Sequence, residues 1–184
     1  MAIEEPEYLV ESKAATYEVR SYGPVVVAET QIESDFENAG NQAFRILARY
    51  IFGGNKSKAQ ISMTAPVGQS VAFEKIEMTA PVTQVKGGTG YWVQFTMPKK
   101  YTLATLPTPE DSRVKLREIP ARQVAVLTYS GSWSESRYQD KLAGFKLDLK
   151  ADKREFIGEP VLARYNSPFQ IWFLRRNEIW LELK

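Results

Sequence analysis

The side chains that most often carry enzyme chemistry are missing from this 184-residue chain, which contains no histidine and no cysteine. No thiolate or imidazole is available to bind zinc. Neither a cysteine nucleophile nor a histidine-based triad can be built, and no disulfide can form. Acid–base work would fall to Asp, Glu, Lys or Tyr, which argues against an enzyme without excluding one. The most suggestive pattern left is a pentapeptide, Met-Thr-Ala-Pro-Val, written at 63–67 and again at 78–82. Ile61 precedes Met63 by two residues and Ile76 precedes Met78 by two, so all four are expected to face one kind of environment, the interior. Two readings stay open. The thioethers fill irregular gaps in a core, or they line a pocket for a flat apolar ligand or ligate an iron. Pro66 and Pro81 cannot donate to a sheet ladder and should mark strand ends, edges or bulges.

The elements that would position these residues repeat. Residues 17–32, YEVRSYGPVVVAETQI, are β-rich and broken at Gly23-Pro24, so they read as two short strands or one bulged strand. A helix is expected over 34–52. Ser34 and Glu37 have the form of a capping box, and Phe36, Ala39, Ala43, Phe44, Leu47 and Ile51 make one apolar stripe. Gly53-Gly54 supplies the stop. The second half follows the same plan. Residues 114–127 are β-rich with a break at Pro120. Ser132 and Glu135 make another possible capping box, and Tyr138, Leu142, Phe145 and Leu149 form a stripe. Arg20 and Arg117 are 97 residues apart, Ser34 and Ser132 are 98 apart, and this agreement points to an internal duplication. Each half closes with strands. These are the two MTAPV segments and 90–97 in the first half, then 161–165 and the apolar run 169–183 in the second. The expected pattern is ββ-helix-ββ, twice, with repeats at about 17–101 and 114–183 inside one domain spanning 1–184.

Composition sets outer limits. Hydrophobic residues make up 43% and charged residues 25% of the chain, which suits a globular protein with a sizeable core. Lysine and arginine number 24 against 22 acidic residues, for a net charge of +2. That balance excludes a dedicated nucleic-acid binder, whose affinity needs clustered cations. The acidic N-terminus lacks the form of a signal peptide, and no apolar run reaches the length of a membrane span. A cytoplasmic location is the expectation, and the sequence sets no oligomeric state.

The chain resembles the SOUL, or haem-binding protein, family from about Tyr8 to Leu183. The resemblance is carried by the paired IxMTAPVxQ segments, ARYIFGGN, VKLREIPARQVAVLTYSGSWSE, ARYNSP and FLRRNEIWLE. It implies an α+β fold of two βαββ repeats in a distorted antiparallel β-barrel flanked by two helices, similar to gyrase-inhibitor-like effector-binding domains. It also implies a ligand, haem or another tetrapyrrole, held by a non-enzymatic carrier, buffer or sensor. An effector-binding domain for another planar small molecule, or an iron-releasing tetrapyrrole enzyme, are the alternatives. A protein-interaction module is a further one, suggested by the aromatic-rich C-terminal segment.

The family's axial histidine has no counterpart here. The resemblance instead implies a hydrophobic cleft beside helix 34–52. Arg49 stands at the basic position at the end of that helix, with Arg45 one turn earlier, and these would meet the propionates. A second basic position near the C-terminal loop falls at Gln170, or at Ile171 if the gap moves. Walls would come from Leu47, Tyr50, Ile51, Met63, Met78, Trp172 and Phe173. The plainer alternative puts both arginines on a solvated helix face and about half of the walls in the core. Tyr50 or Tyr165 could offer a phenolate to iron, and Met63 or Met78 a thioether. No pattern marks one of them, so weak or absent axial ligation is expected. Glu178, beside Asn177, either serves a pocket or pairs with Arg175 or Arg176.

Overall fold

Pro24 and Pro120 each divide a β-rich stretch, and the two resulting strands go to different neighbours rather than pairing with each other. The computed structural model describes residues 3–57, 73–167 and 169–184. In chain order the elements are β1 (Tyr8–Lys13), β2 (Glu18–Tyr22), β3 (Val25–Ile32), α1 (Phe36–Ile51), β4 (Asn55–Lys56), β5 (Val82–Gly87), β6 (Gly90–Thr96), β7 (Thr108–Pro109), β8 (Lys115–Ile119), β9 (Arg122–Tyr129), α2 (Glu135–Ala151), β10 (Phe156–Arg164) and β11 (Asn177–Leu183). A 3-10 turn, Trp172–Leu174, precedes β11. The first MTAPV copy, with Ile61, Met63 and Pro66, lies outside the described residues.

Nine strands form one antiparallel sheet in the order β1-β2-β9-β11-β10-β5-β6-β3-β8. Either side of the β10–β5 junction the order mirrors itself in repeat terms. One half is β5-β6-β3 closed by β8, and the other is β10-β11-β9 closed by β2. Each repeat therefore lends its first strand to the other. Both helices cover one face. The stripe of α1, from Ala39 to Ile51, packs on Ala28, Val93 and Phe95. Tyr138, Leu142, Phe145 and Leu149 of α2 pack on Ala125, Ile179 and Leu181. The other face carries a register row, Thr128, Glu178, Ala163, Thr83, Gln94, Glu29, running across six strands. Buried polar groups need partners, and this row supplies them. Thr83 donates to Gln94 (3.0 Å), Gln94 to Glu29 (2.8 Å), and Arg117 closes on Glu29 through two bonds.

Four local expectations change. The N-cap of α1 is Asp35, whose carboxylate accepts from the amides of Glu37 (3.1 Å) and Asn38 (2.9 Å). Ser34 instead accepts from Gln42 (3.1 Å). Ser134 occupies the cap of α2, two residues beyond Ser132. Ile76 and Met78 do not share an environment, because β5 begins only at Val82. Ile76 is 2% exposed and Met78 37%. The run 169–176 is not strand, and β11 starts at Asn177. Pro81 does stand directly before a strand, and Gly53 takes the left-handed conformation (φ 120°) after α1.

Candidate functional site

The residues proposed along helix 34–52 fall on opposite sides of α1. Leu47, Tyr50 and Ile51 are buried in the core between helix and sheet. Arg45 and Arg49 are exposed. Each is two residues from Leu47, about 160° around the helix from it. One small ligand cannot touch both sets. Phe44, one turn before Leu47 and about 60° around the helix from it, is exposed yet rests on Phe95 at 5.4 Å, and Phe52 is exposed after the helix. Phe73 is exposed too and lies against Gly53, where a Cβ would come within 2.9 Å of its ring.

Trp172 and Phe173 are brought together, edge to face at 5.5 Å. A strand would point them to opposite sides. The 3-10 turn leaves both in solvent, 57% and 54% exposed. Phe169 (96%), Ile171 and Leu174 are exposed beside them. Runs of this kind rarely face water without a use. Arg175 follows directly. It donates to the Gln170 carbonyl (2.9 Å) and stacks 4.2 Å from the Trp133 ring. Arg164 of β10 lies 5.1 Å from the same ring. Asn177 fixes Trp133, accepting from its indole N–H at 2.8 Å. The turn, Trp133 and both arginines thus form one contiguous group on the helix side of the sheet. The sequence marked Trp172 and Phe173. Arg164 and Trp133 escaped because they meet the turn only through the fold.

Glu178 points to the other face and is wholly buried. Its carboxylate accepts from Arg20 (3.1 and 3.2 Å), Arg176 (2.9 and 3.1 Å), Tyr165 (2.8 Å) and Trp180 (2.8 Å). Burial pushes its pKa up, but Arg20, Trp180, Arg176 and Tyr165 outweigh burial and hold it below the ordinary value. The pairing with Arg176 expected from the sequence is present. The partner 158 residues away, Arg20, was not visible there.

Two voids differ in use. Inside the curl of the sheet, Tyr22, Val27, Gln94, Ile119 and Trp180 enclose about 20 Å³, which is too little for any ligand beyond water. A larger cavity of about 700 Å³ lies between the N-terminal segment, the β2–β3 turn and residues 96–102. Its walls include Tyr8, Tyr22, Met97 and Tyr101. Glu4, Glu5, Glu7 and Glu118 line it against Lys99, the one cation among the described lining residues. Among the described residues no group of three or more Asp or Glu is placed to hold a metal ion.

The sequence profile of the family described as SOUL heme-binding protein matches residues 3–182. The chain belongs to that family. Similar relatives are Heme-binding protein 2 of Homo sapiens, 29% identical over 173 residues, covering 90% of this chain and 77% of that one. The Mus musculus protein of the same name is 29% identical over 175 residues, covering 94% and 80%. Among solved structures, the EcmrR C-terminal domain superposes with a TM-score of 0.62 at 9% identity, covering 91% of this chain and 98% of that one. A hydrolase from Listeria innocua reaches 0.57 at 11% identity, covering 95% and 94%. At such identities these structures share the fold alone.

In this SOUL-family chain the tyrosines proposed as iron ligands are otherwise engaged. Tyr50 is buried and donates to the Pro107 carbonyl at 2.9 Å. Tyr165 donates to Glu178. Burial raises both phenols above their ordinary pKa, and the Glu178 charge raises Tyr165 further. A phenolate ligand is therefore disfavoured at either position. Met78 is partly exposed, and Met63 lies outside the described residues.

Proposed function

We propose that this protein binds haem or a related tetrapyrrole without transforming it, as a carrier, buffer or sensor. The ring lies on the exposed apolar turn 169–174, on the α1 side of the sheet. The observation that carries this reading is the turn itself: aromatic and aliphatic side chains held in water, with arginines packed behind them. A tetrapyrrole presents a flat apolar face and carboxylates, and these are the groups such a surface complements. Membership of the SOUL family supports the choice of ligand. When bound, haem would bring an iron centre, and Tyr50 and Tyr165 are not placed to ligate it. Arg45 and Arg49 face solvent away from this surface and contribute little.

Haemin titration followed at the Soret band tests this. Saturable one-to-one binding is expected. Replacing Trp172 and Phe173 together by serine should weaken it about tenfold or more, the scale of losing one to two buried aromatic contacts. Arg49→Ala should stay within about twofold. A reversed pattern moves the ligand to the outer face of α1, and binding no tighter than to an unrelated protein removes haem altogether. Incubation should release no iron and leave the porphyrin intact.

The 700 Å³ cavity favours a second reading. Aromatic walls with excess carboxylate suit a planar cation rather than a dicarboxylate. A cationic dye that binds saturably and is not displaced by haemin would support this effector-binding alternative.

A further inference from the structure

The N-termini of the two helices meet over an arginine that forms no direct ion pair among the described residues. Phe36 of α1 and Tyr138 of α2 stack at 4.8 Å, and the Glu135 amide donates to Glu37 at 3.3 Å. Arg164 reaches up from β10 into this seam, its guanidinium 5.9 Å from the Phe36 ring and 5.1 Å from the Trp133 ring. Its guanidinium donates to a neutral acceptor, Gln84 Oε1, at 3.3 Å. Its Nε is buried with no partner among the described residues. No carboxylate among them lies within ion-pair distance of it. Arg20 and Arg117, on the opposite face, are each closed by a buried glutamate, Glu178 and Glu29. Burial lowers the Arg164 pKa to about 10, with Tyr129 and the Glu37 carboxylate opposing it and the nearby Arg175 charge adding to it. A desolvated cation without a directly paired counter-ion is unfavourable, and the Glu37 carboxylate at the start of α1 acts on Arg164 only through space. Arg164 is half-buried rather than sealed. Gly40 leaves its space: a Cβ there would stand 2.6 Å from Nη1.

We infer that Arg164 anchors a carboxylate of the ligand, receiving a tetrapyrrole propionate while the ring lies on the 169–174 turn. Arg175, between the turn and Trp133, flanks the same carboxylate. This assignment rests on the tetrapyrrole reading above. It places the anion-binding residue on β10, away from Arg49.

Metal-free protoporphyrin IX and its dimethyl ester separate the carboxylate contact from everything else, because the ring is the same and iron is absent. Fluorescence titration of the intact protein should show the free acid binding at least about tenfold tighter than the ester, the scale of one charge-assisted bond. Arg164→Gln should remove that preference and leave ester binding within about twofold. Gly40→Ala keeps the charge and favours the helix, yet pushes the guanidinium aside. It should lower the preference as well, which guards against a folding defect in the first variant. Circular dichroism of both variants checks the fold. If folded Arg164→Gln and Gly40→Ala proteins keep the wild-type preference, the anchor is wrong while the tetrapyrrole reading stands. Equal loss of acid and ester overturns the anchor too, since it marks a structural role. If the wild-type protein binds neither compound, the tetrapyrrole reading falls and the anchor falls with it.

Discussion

Glu178, sealed, and Arg164, half-buried, are charges on adjacent strands, and they differ in whether the fold closes a direct ion pair on them. Glu178 has two arginines and three further donors, Tyr165, Trp180 and Thr128. Removing its charge leaves the buried Arg20 with only the partly exposed Glu18 as a partner (3.0 Å), so Glu178→Gln should cost about 2–3 kcal/mol at neutral pH. The pH dependence follows from the depressed carboxyl. Its stabilisation is fully present above the ordinary value of 4.5 and is lost as pH falls through the lower folded value. Urea unfolding at pH 7 and again below pH 4 should therefore show the gap between wild type and variant narrowing in acid. A gap that is constant with pH would mean that Glu178 contributes through packing. Only part of this was legible in the sequence. Arg176 is two residues away and was expected, whereas Arg20 and Arg164 acquire their surroundings from strands and helices distant in the chain.

At the scale of elements, the helices were legible because burial imposes a 3.6-residue period; both stripes pack on the sheet, except that Phe44 of the α1 stripe is exposed. Their starts were less so, because capping depends on one backbone position and several polar residues compete for it. Asp35 holds two amide donors while Ser34 holds a glutamine side chain. Asp35→Ala should therefore lower the melting temperature, and Ser34→Ala should change it by less than half as much. Thermal melting of the two variants side by side decides which is the cap. The segment 169–174 was misread for a different reason. An apolar run without a strong period fits a strand by composition alone. In the structure the Leu174 amide bonds to the Ile171 carbonyl (2.9 Å), closing a 3-10 turn, and its side chains face water. A strand would have hidden half of them, and the proposed ligand surface exists because the segment is not one.

At the scale of the whole molecule, the duplication was legible as a shift of about 97 residues, yet the exchange of first strands was not. Strand pairing at a separation near 100 residues leaves no local trace. The exchange has a mechanical consequence. β2 lies between β1 and β9, and β8 closes on β3, so neither half of the sheet can be completed by its own repeat. Each half also draws an arginine from the other repeat onto a buried glutamate: Arg20 reaches Glu178 and Arg117 reaches Glu29. A single repeat on its own would expose an unpaired strand edge, with Glu29 stripped of Arg117 in the first repeat and Glu178 left to Arg176 alone in the second. Unfolding of the intact protein should therefore be one cooperative event. Far-UV ellipticity and tryptophan fluorescence, which reports Trp92 in one half and Trp133, Trp172 and Trp180 in the other, should give coincident urea transitions. A fragment carrying residues 17–101 should lack the intact protein's cooperative transition and regain it when mixed with a fragment carrying 107–184. Two separated transitions in the intact chain, or a fragment that melts cooperatively alone, would show that the repeats are independent in spite of the exchange.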